Sequence, residues 1–319
     1  MNFFPHTNFT NFTNFITLKT SFCGVAFQNP LVLASGILGV TGDSFHNTVR
    51  AGAGGITTKS LWLHPHKGHP NPTMVGYEHY FLNAVGLSDA GIEKAKEELG
   101  KYIPERTAPL IANIVAAKKA DFGQAAEEIA KLSPDIIEVN ISCPNVEDEM
   151  GKPFACDLMD AAEVTKLVKS RVPNIPIVIK LSPNVPNIAE IAKACADAGA
   201  DGITAINTMP GMRINADLRT PVLSNKTGGV SGPGLFPIAL KAVYEIAHAV
   251  KIPLIGTGGV TTGLDAIEMI MAGATLVGVG SMVYYREVKG FGEMVSEMEE
   301  WMKANGVKNL DEIRGVFLS

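Results

Sequence analysis

Eight short apolar runs, each followed by a stretch with helical periodicity, constrain this chain more than any other feature of its sequence. The runs are LVLASG at 31–36, GITTKS at 55–60, PLIANIV at 109–115, IIEVNIS at 136–142, PIVIKLS at 176–182, GITAIN at 202–207, PLIGTGG at 253–259 and LVGVGS at 276–281. Between them GQAAEEIAKL, DAAEVTKLVKSRV, NIAEIAKACADAG, PIALKAVYEIAHAV and LDAIEMIMAGA repeat apolar residues near every 3.6 positions. Strands that are apolar on both faces are buried on both faces, and regular alternation with helices means a parallel sheet covered by helices. Eight units favour a closed (β/α)8 barrel, an α/β fold, over an open doubly wound sheet with fewer strands. Segment 16–30 precedes the first strand and is expected to pair as a β-hairpin closing the barrel floor. No linker-like break divides the rest, so residues 18–319 are expected to form one barrel domain after an arm, 1–17, expected to be poorly ordered. The C-terminal GFGEMVSEMEEWMKANG is expected to be an amphipathic helix whose Met/Trp stripe packs on the barrel.

Composition excludes several classes of partner. A net charge of −5 is spread along the 319 residues without a Lys/Arg block, so nucleic acid is not an expected partner. No apolar run approaches the roughly 18 residues of a membrane span. The N-terminal Asn-Phe-Thr triplets lack the basic start and aliphatic centre of a signal peptide. The four cysteines have neither C-x-x-C spacing nor the density of a disulfide scaffold, which points to a reducing cytoplasm. Cys195 falls on the apolar face of a helical stretch and Cys23 in an alternating one, whereas Cys143 and Cys156 have polar, loop-like surroundings. His64, His66 and His69 are separated by prolines with no carboxylate or cysteine at ligand spacing, so no metal is expected, and Glu147–Asp148–Glu149 reads as a solvated charge run.

In such a barrel the active site forms at the C-terminal strand ends. Polar residues collect there: Ser35 and Gly36, Lys59 and Ser60, Asn113, Asn140 leading to Cys143, Lys180, and Asn207 with Thr208. Burying them unpaired would cost a few kcal/mol each, so a polar small molecule is expected among them. Strands 7 and 8 end in GTGG and GVGS, and GGVSGPG at 228–234 is expected to close over the same point. Backbone N–H groups at such ends suit a phosphate. A lysine at a strand end can stabilise negative charge on a ring that accepts a hydride, can form a Schiff base, or can pair on the rim. No acidic residue is expected at the same strand ends to pair with Lys59 and Lys180. A loop thiol with its pKa lowered by positive charge can serve as base or nucleophile, the role open to Cys143.

The segments NISCPNV, NAVGL at 83–87, KLSPNV at 180–185, AINTMPGMRI at 205–214, GGVSGPG and IGTGGV resemble those of class 1 dihydroorotate dehydrogenases over about residues 18–311. The resemblance implies an FMN flavoprotein that oxidises (S)-dihydroorotate to orotate in pyrimidine biosynthesis. It implies Cys143 as the base that removes a proton from C5 while a hydride passes from C6 to flavin N5. The implied substrate contacts are Lys59, Asn83, Ala84, Val85, Gly86, Leu87, Asn140, Asn207 and Thr208. The implied FMN contacts are Ser35, Lys59, Ser60, Asn113, Asn140, Lys180, Ile206, Gly232, Gly258, Gly259, Gly280 and Ser281.

INTMPGMRI and GGVSGPG are most similar to the NAD-linked 1B type. Its catalytic chain forms a homodimer core and works beside an electron-transfer subunit carrying FAD and a [2Fe–2S] cluster, in a heterotetramer. This chain lacks the clustered cysteines and Rossmann fingerprint to hold those extra groups itself. The quinone-using class 2 is disfavoured by its serine at the Cys143 position and by its N-terminal apolar extension, and the fumarate-using 1A type stays open. EDEMGKPFACD departs from the glycine-rich loop of 1B enzymes and contains Cys156, whose offset resembles that of the catalytic cysteine in dihydropyrimidine dehydrogenases, although FACD lacks their following glycine. Two further readings are a lysine-dependent aldolase using Lys180 and a flavin- or nucleotide-binding subunit without chemistry.

Overall fold

The computed structural model describes residues 16–142 and 154–318. The expected cysteine motif loop, with Cys143 and the 147–149 charge run, and almost all of the N-terminal arm lie outside those residues. Each of the eight apolar runs contains one barrel strand: β1 (Leu31–Leu33), β2 (Gly55–Thr57), β3 (Leu110–Ile114), β4 (Ile136–Asn140), β5 (Ile177–Leu181), β6 (Gly202–Ala205), β7 (Leu254–Thr257) and β8 (Leu276–Val279). They pair in sequence order, all parallel, and β8 closes on β1. Every residue of these strands is buried, which is why their sequences read as continuous rather than alternating apolar runs.

The helices between strands begin where the chain provides caps. Thr41, Asp157 and Asn187 accept from backbone N–H groups of the first turns of Gly42–Arg50, Leu158–Arg171 and Ile188–Asp197, and Thr262 with Asp265 forms a capping box on Gly263–Met271. The C-terminal helix Gly290–Asn305 buries Met294, Met298 and Met302 as its stripe requires. It approaches so closely that a Cβ on Gly263 would lie 2.7 Å from the Met294 carbonyl oxygen.

The floor is closed by the expected hairpin, Thr20–Phe22 paired antiparallel with Val25–Phe27. Phe22 and Phe27 are fully buried against Val32, Ile111, Ile136, Val178, Ile255 and Leu276, residues at or near the starts of the strands. Removing each ring from water stabilises the barrel by about 1.5–3 kcal/mol. Two strands begin with glycine because the rings take the space a side chain would need. A Cβ on Gly55 would fall 2.7 Å from Phe27 Cε1, and one on Gly202 2.9 Å from Phe22 Cζ.

Above the opposite end lies a feature absent from the sequence reading, a four-stranded antiparallel sheet ordered Met209–Met212, Thr227–Ser231, Phe81–Asn83, Met74–Gly76. It is built from the connections after β2 and β6. GGVSGPG, expected as a loop, contributes most of an inner strand of this sheet, and its Ser231 lines the cavity beneath the sheet. Its glycines permit close approach: a Cβ on Gly229 would lie 2.0 Å from Thr208 Oγ1, and one on Gly228 2.5 Å from the Asn83 carbonyl oxygen.

Gly55→Ala is expected to lower the free energy of unfolding by about 1–3 kcal/mol by overpacking the floor. Gly100→Ala, in the helix Ile92–Tyr102 with nothing near its Cβ, is expected to be neutral or to stabilise by up to about 1 kcal/mol. Urea denaturation of the two variants beside the parent measures both; equal midpoints for Gly55→Ala and the parent would contradict the packing account.

Candidate active site

Side chains alternate across a strand, so residues two apart share a face and the barrel interior is stacked in rings. Above the apolar floor comes a polar ring: Thr57, Asn113, Glu138, Lys180, Thr204 and Thr257 lie two residues beyond Gly55, Ile111, Ile136, Val178, Gly202 and Ile255, and all six are buried. Above that ring, under the antiparallel sheet, is a cavity of about 560 Å³.

Of the residues anticipated from sequence, Ser35, Lys59, Ser60, Asn83, Val85, Gly86, Leu87, Asn140, Lys180, Ile206, Asn207, Thr208, Gly258, Gly259, Gly280 and Ser281 line this cavity. Ala84, Asn113 and Gly232 are not in its wall. Ala84 packs with Leu82 and Leu223 in the sheet above, and Asn113 is completely buried in the polar ring beneath. Among the lining residues that the sequence reading missed are Val40, Met74, Phe81, Leu235, Thr257 and Tyr284. Nothing local marks the apolar ones, because what brings Met74 and Phe81 to the cavity is the pairing of their strands.

The polar wall is braced from behind. Asn140 Nδ2 donates to Ser60 Oγ at 3.1 Å, Ser142 Oγ donates to Asn140 Oδ1 at 2.9 Å, and Asn207 Nδ2 donates to Ser142 Oγ at 2.9 Å. This chain of bonds joins the ends of β2, β4 and β6 and fixes both amides beside Ser142, the residue before Cys143. Lys59 Nζ donates to the Ser88 carbonyl, and the Trp62 indole donates to Leu87 O at 3.0 Å. The His64–His69 loop belongs to this brace: His66 exchanges backbone hydrogen bonds with Asp89 and stacks on Trp62 at 4.6 Å, while His69 Nδ1 lies 3.2 Å from Ala84 O. Segment 83–89 is thereby held against the cavity.

The absence of an acid near the lysines is corrected by Glu138 of β4. Its carboxylate, 2% exposed, lies 3.7 Å from Lys180 Nζ and accepts from Asn113 Nδ2 at 2.5 Å and Thr204 Oγ1 at 2.6 Å. Glu138 itself does not line the cavity. Among the described residues the wall carries two cations, Lys59 and Lys180, and no carboxylate, so the site favours an anionic or electron-accepting ligand.

The glycines at the ends of β7 and β8 differ in their constraints. Gly258 and Gly259 have φ of +134° and +75°, and a Cβ on Gly259 would strike Phe236 N at 2.6 Å. A Cβ on Gly280 would meet only Ala34 and Ile37, both in the cavity wall, at an ordinary 3.6 Å. No close protein contact demands glycine at Gly280, and a larger side chain there would occupy the cavity. That is the arrangement a phosphate resting on backbone N–H groups requires. In the polar ring beneath the cavity, the buried Asn113 Oδ1 has no hydrogen-bond partner.

The described thiols are not in the wall. Cys156 Sγ lies 3.8 Å from Asn184 O, outside the cavity lining. Burial pushes the Cys195 thiol up to about 11 and, with the Asp201 carboxylate adding to the effect, the Cys23 thiol up to about 12. Both therefore stay protonated through the neutral range, and the thiolate is the reactive form. Iodoacetamide at about pH 8 should leave Cys23 and Cys195 unmodified in the folded protein and alkylate both in urea; peptide mass spectrometry reads the result, and alkylation of either in the native state would contradict these environments.

A model of the family described as "Dihydroorotate dehydrogenase" matches residues 17–302. A Methanocaldococcus jannaschii protein described as "Dihydroorotate dehydrogenase B (NAD(+)), catalytic subunit" is 41% identical over 302 residues, covering 94% of this chain and 97% of its own. Proteins of the same description from Pyrococcus abyssi and Geobacter sulfurreducens are 39% and 40% identical, over 94% and 93% of this chain and 99% and 97% of theirs. A crystal structure of an Eimeria tenella dihydroorotate dehydrogenase in complex with ferulenol superposes with a TM-score of 0.82 at 21% identity, covering 98% of this chain and 90% of that one, a likeness of fold.

Proposed function

This chain belongs to the dihydroorotate dehydrogenase family, and from that membership we propose that it oxidises (S)-dihydroorotate to orotate with FMN as its bound flavin, as the catalytic chain of an NAD-linked 1B enzyme of pyrimidine biosynthesis. The observation that carries the proposal is the cavity wall. One wall brings together a glycine cradle from β7 and β8, two lysines from β2 and β5, and the amides Asn83, Asn140 and Asn207.

The glycine cradle at Gly258, Gly259 and Gly280, with Ser281, would hold the FMN phosphate. Lys180 and Lys59 favour negative charge on the ring. Bound FMN supplies the acceptor for the hydride that leaves C6. Asn83, Asn140, Asn207 and Thr208 orient the substrate, whose ring presents amide N–H and C=O groups that such side chains match. Cys143 Sγ takes the proton from C5, so the carbon–carbon double bond of orotate forms as proton and hydride leave neighbouring carbons. The braced Asn140–Ser142–Asn207 chain fixes Ser142, the residue before Cys143.

The names of the relatives, which specify a catalytic subunit and NAD(+), support an electron-transfer partner. We assign FAD and a [2Fe–2S] cluster to that partner and a homodimer to this chain, in the cytoplasm. No helix among the described residues is long and apolar enough to cross a membrane. The dihydropyrimidine dehydrogenase reading gains nothing from Cys156, which lies outside the cavity wall, and the ion pair of Lys180 with Glu138 weakens the Schiff-base reading.

Anaerobic addition of dihydroorotate should bleach the visible flavin absorbance of the purified protein, and dihydrouracil should not. Bleaching by dihydrouracil alone, or a chain with no affinity for FMN, would sink the proposal. Cys143→Ala should slow bleaching by about 10²–10⁴-fold with FMN still bound, the range lost with a general base. Gly280→Val should keep the fold, checked by far-UV circular dichroism, and lose FMN on gel filtration.

A further inference from the structure

We infer that Glu138 is a positioning residue for Lys180, fixing a carboxylate beside its ammonium and partly offsetting its charge at the flavin ring. The inference rests on the flavin reading above and adds to it a residue that touches neither cofactor nor substrate.

Four neighbouring strands build the arrangement. Asn113 of β3 stands opposite Glu138 of β4, and Thr204 of β6 stands opposite Lys180 of β5. All four side chains point inward in one ring and all are buried. A carboxylate at this depth needs both oxygens satisfied. Asn113 Nδ2 takes Oε1 at 2.5 Å and Thr204 Oγ1 takes Oε2 at 2.6 Å. Two neutral donors thus pin the carboxylate, so it cannot swing to a closer contact with Lys180.

The remaining gap of 3.7 Å between Oε1 and Nζ is an ion pair but too long for a good hydrogen bond. The N–H donors of Lys180 are therefore not used up on Glu138, and Lys180 lines the cavity. A lone buried ammonium would pull the ring strongly toward its reduced, negative form. The same ammonium opposed by a fixed carboxylate pulls less, which leaves the reduced ring able to pass its electrons on.

The test is the midpoint potential of the bound flavin, measured by anaerobic reduction against a reference dye in FMN-loaded protein. Glu138→Gln keeps the shape and removes the charge. The expected result is a more positive potential, equivalent to about a tenfold change in the reduction equilibrium, or about 30 mV for a two-electron couple. FMN bound with the parent potential, or with a lower one, would overturn the inference while leaving the flavin reading intact. Failure of the parent chain to take up FMN would overturn both. Thr204→Val is the second variant, in case Glu138→Gln does not fold. It frees Oε2 without removing charge, so the carboxylate closes on Lys180 and the potential falls; an unchanged potential there also counts against the inference.

Discussion

Closure of eight parallel strands makes the interior a stack of rings, because every second residue of every strand must point at the axis. One register then assigns three environments along each strand. Residues near the strand starts meet Phe22 and Phe27 and are apolar or glycine. Residues two further on form the buried polar ring, and those beyond reach the cavity, as Lys59, Asn140 and Gly280 do. A shift of one residue in any strand would exchange its inward and outward faces and remove its contribution from the site.

The polar ring is costly in isolation, since each buried polar group left without a partner costs about 1–3 kcal/mol and a charge more. Its members offset much of this by bonding one another. Asn113 and Thr204 serve Glu138, Glu138 faces Lys180, and Thr257 Oγ1 donates to Gly278 O at 2.9 Å. What the ring leaves unsatisfied is the Asn113 Oδ1 acceptor and the donor capacity of Lys180, which lines the cavity. A lysine with free donors in the wall of a cavity suits a polar ligand.

Most of the barrel was legible because its evidence is local. Continuous apolar runs and helical periodicity are properties of ten-residue windows, and the hairpin follows from an alternating segment before the first run. The antiparallel sheet was not legible for the opposite reason: Asn83 and Gly229 pair across 146 positions, in strands of three to five residues rich in glycine. Glu138 was overlooked although its position carried a signal. It lies two residues before Asn140, hence on the same inward face, in a strand too buried for an unpaired charge. Counting in twos along PLIANIV likewise places Asn113 one ring below the strand end, where the structure has it, and not at the mouth. Glycine was the least reliable sign. Gly280 faces the cavity, whereas Gly228 and Gly229 are glycines because Asn83 and Thr208 lie against them.

The charge pattern ties these layers to chemistry. Two cations face the cavity, and the Glu138 carboxylate paired with Lys180 is held out of the wall, pinned by neutral donors. An acid in the wall itself would repel a phosphate, a substrate carboxylate and any negative charge gained on reduction. An acid removed altogether would leave the buried Lys180 ammonium without a compensating charge. Holding the carboxylate one ring below the wall, 3.7 Å from the ammonium, meets both demands with a single residue. The apolar floor is what makes that placement effective: sealed by Phe22 and Phe27, it excludes water that would screen the pair from beneath, so the field of Lys180 is directed upward into the site.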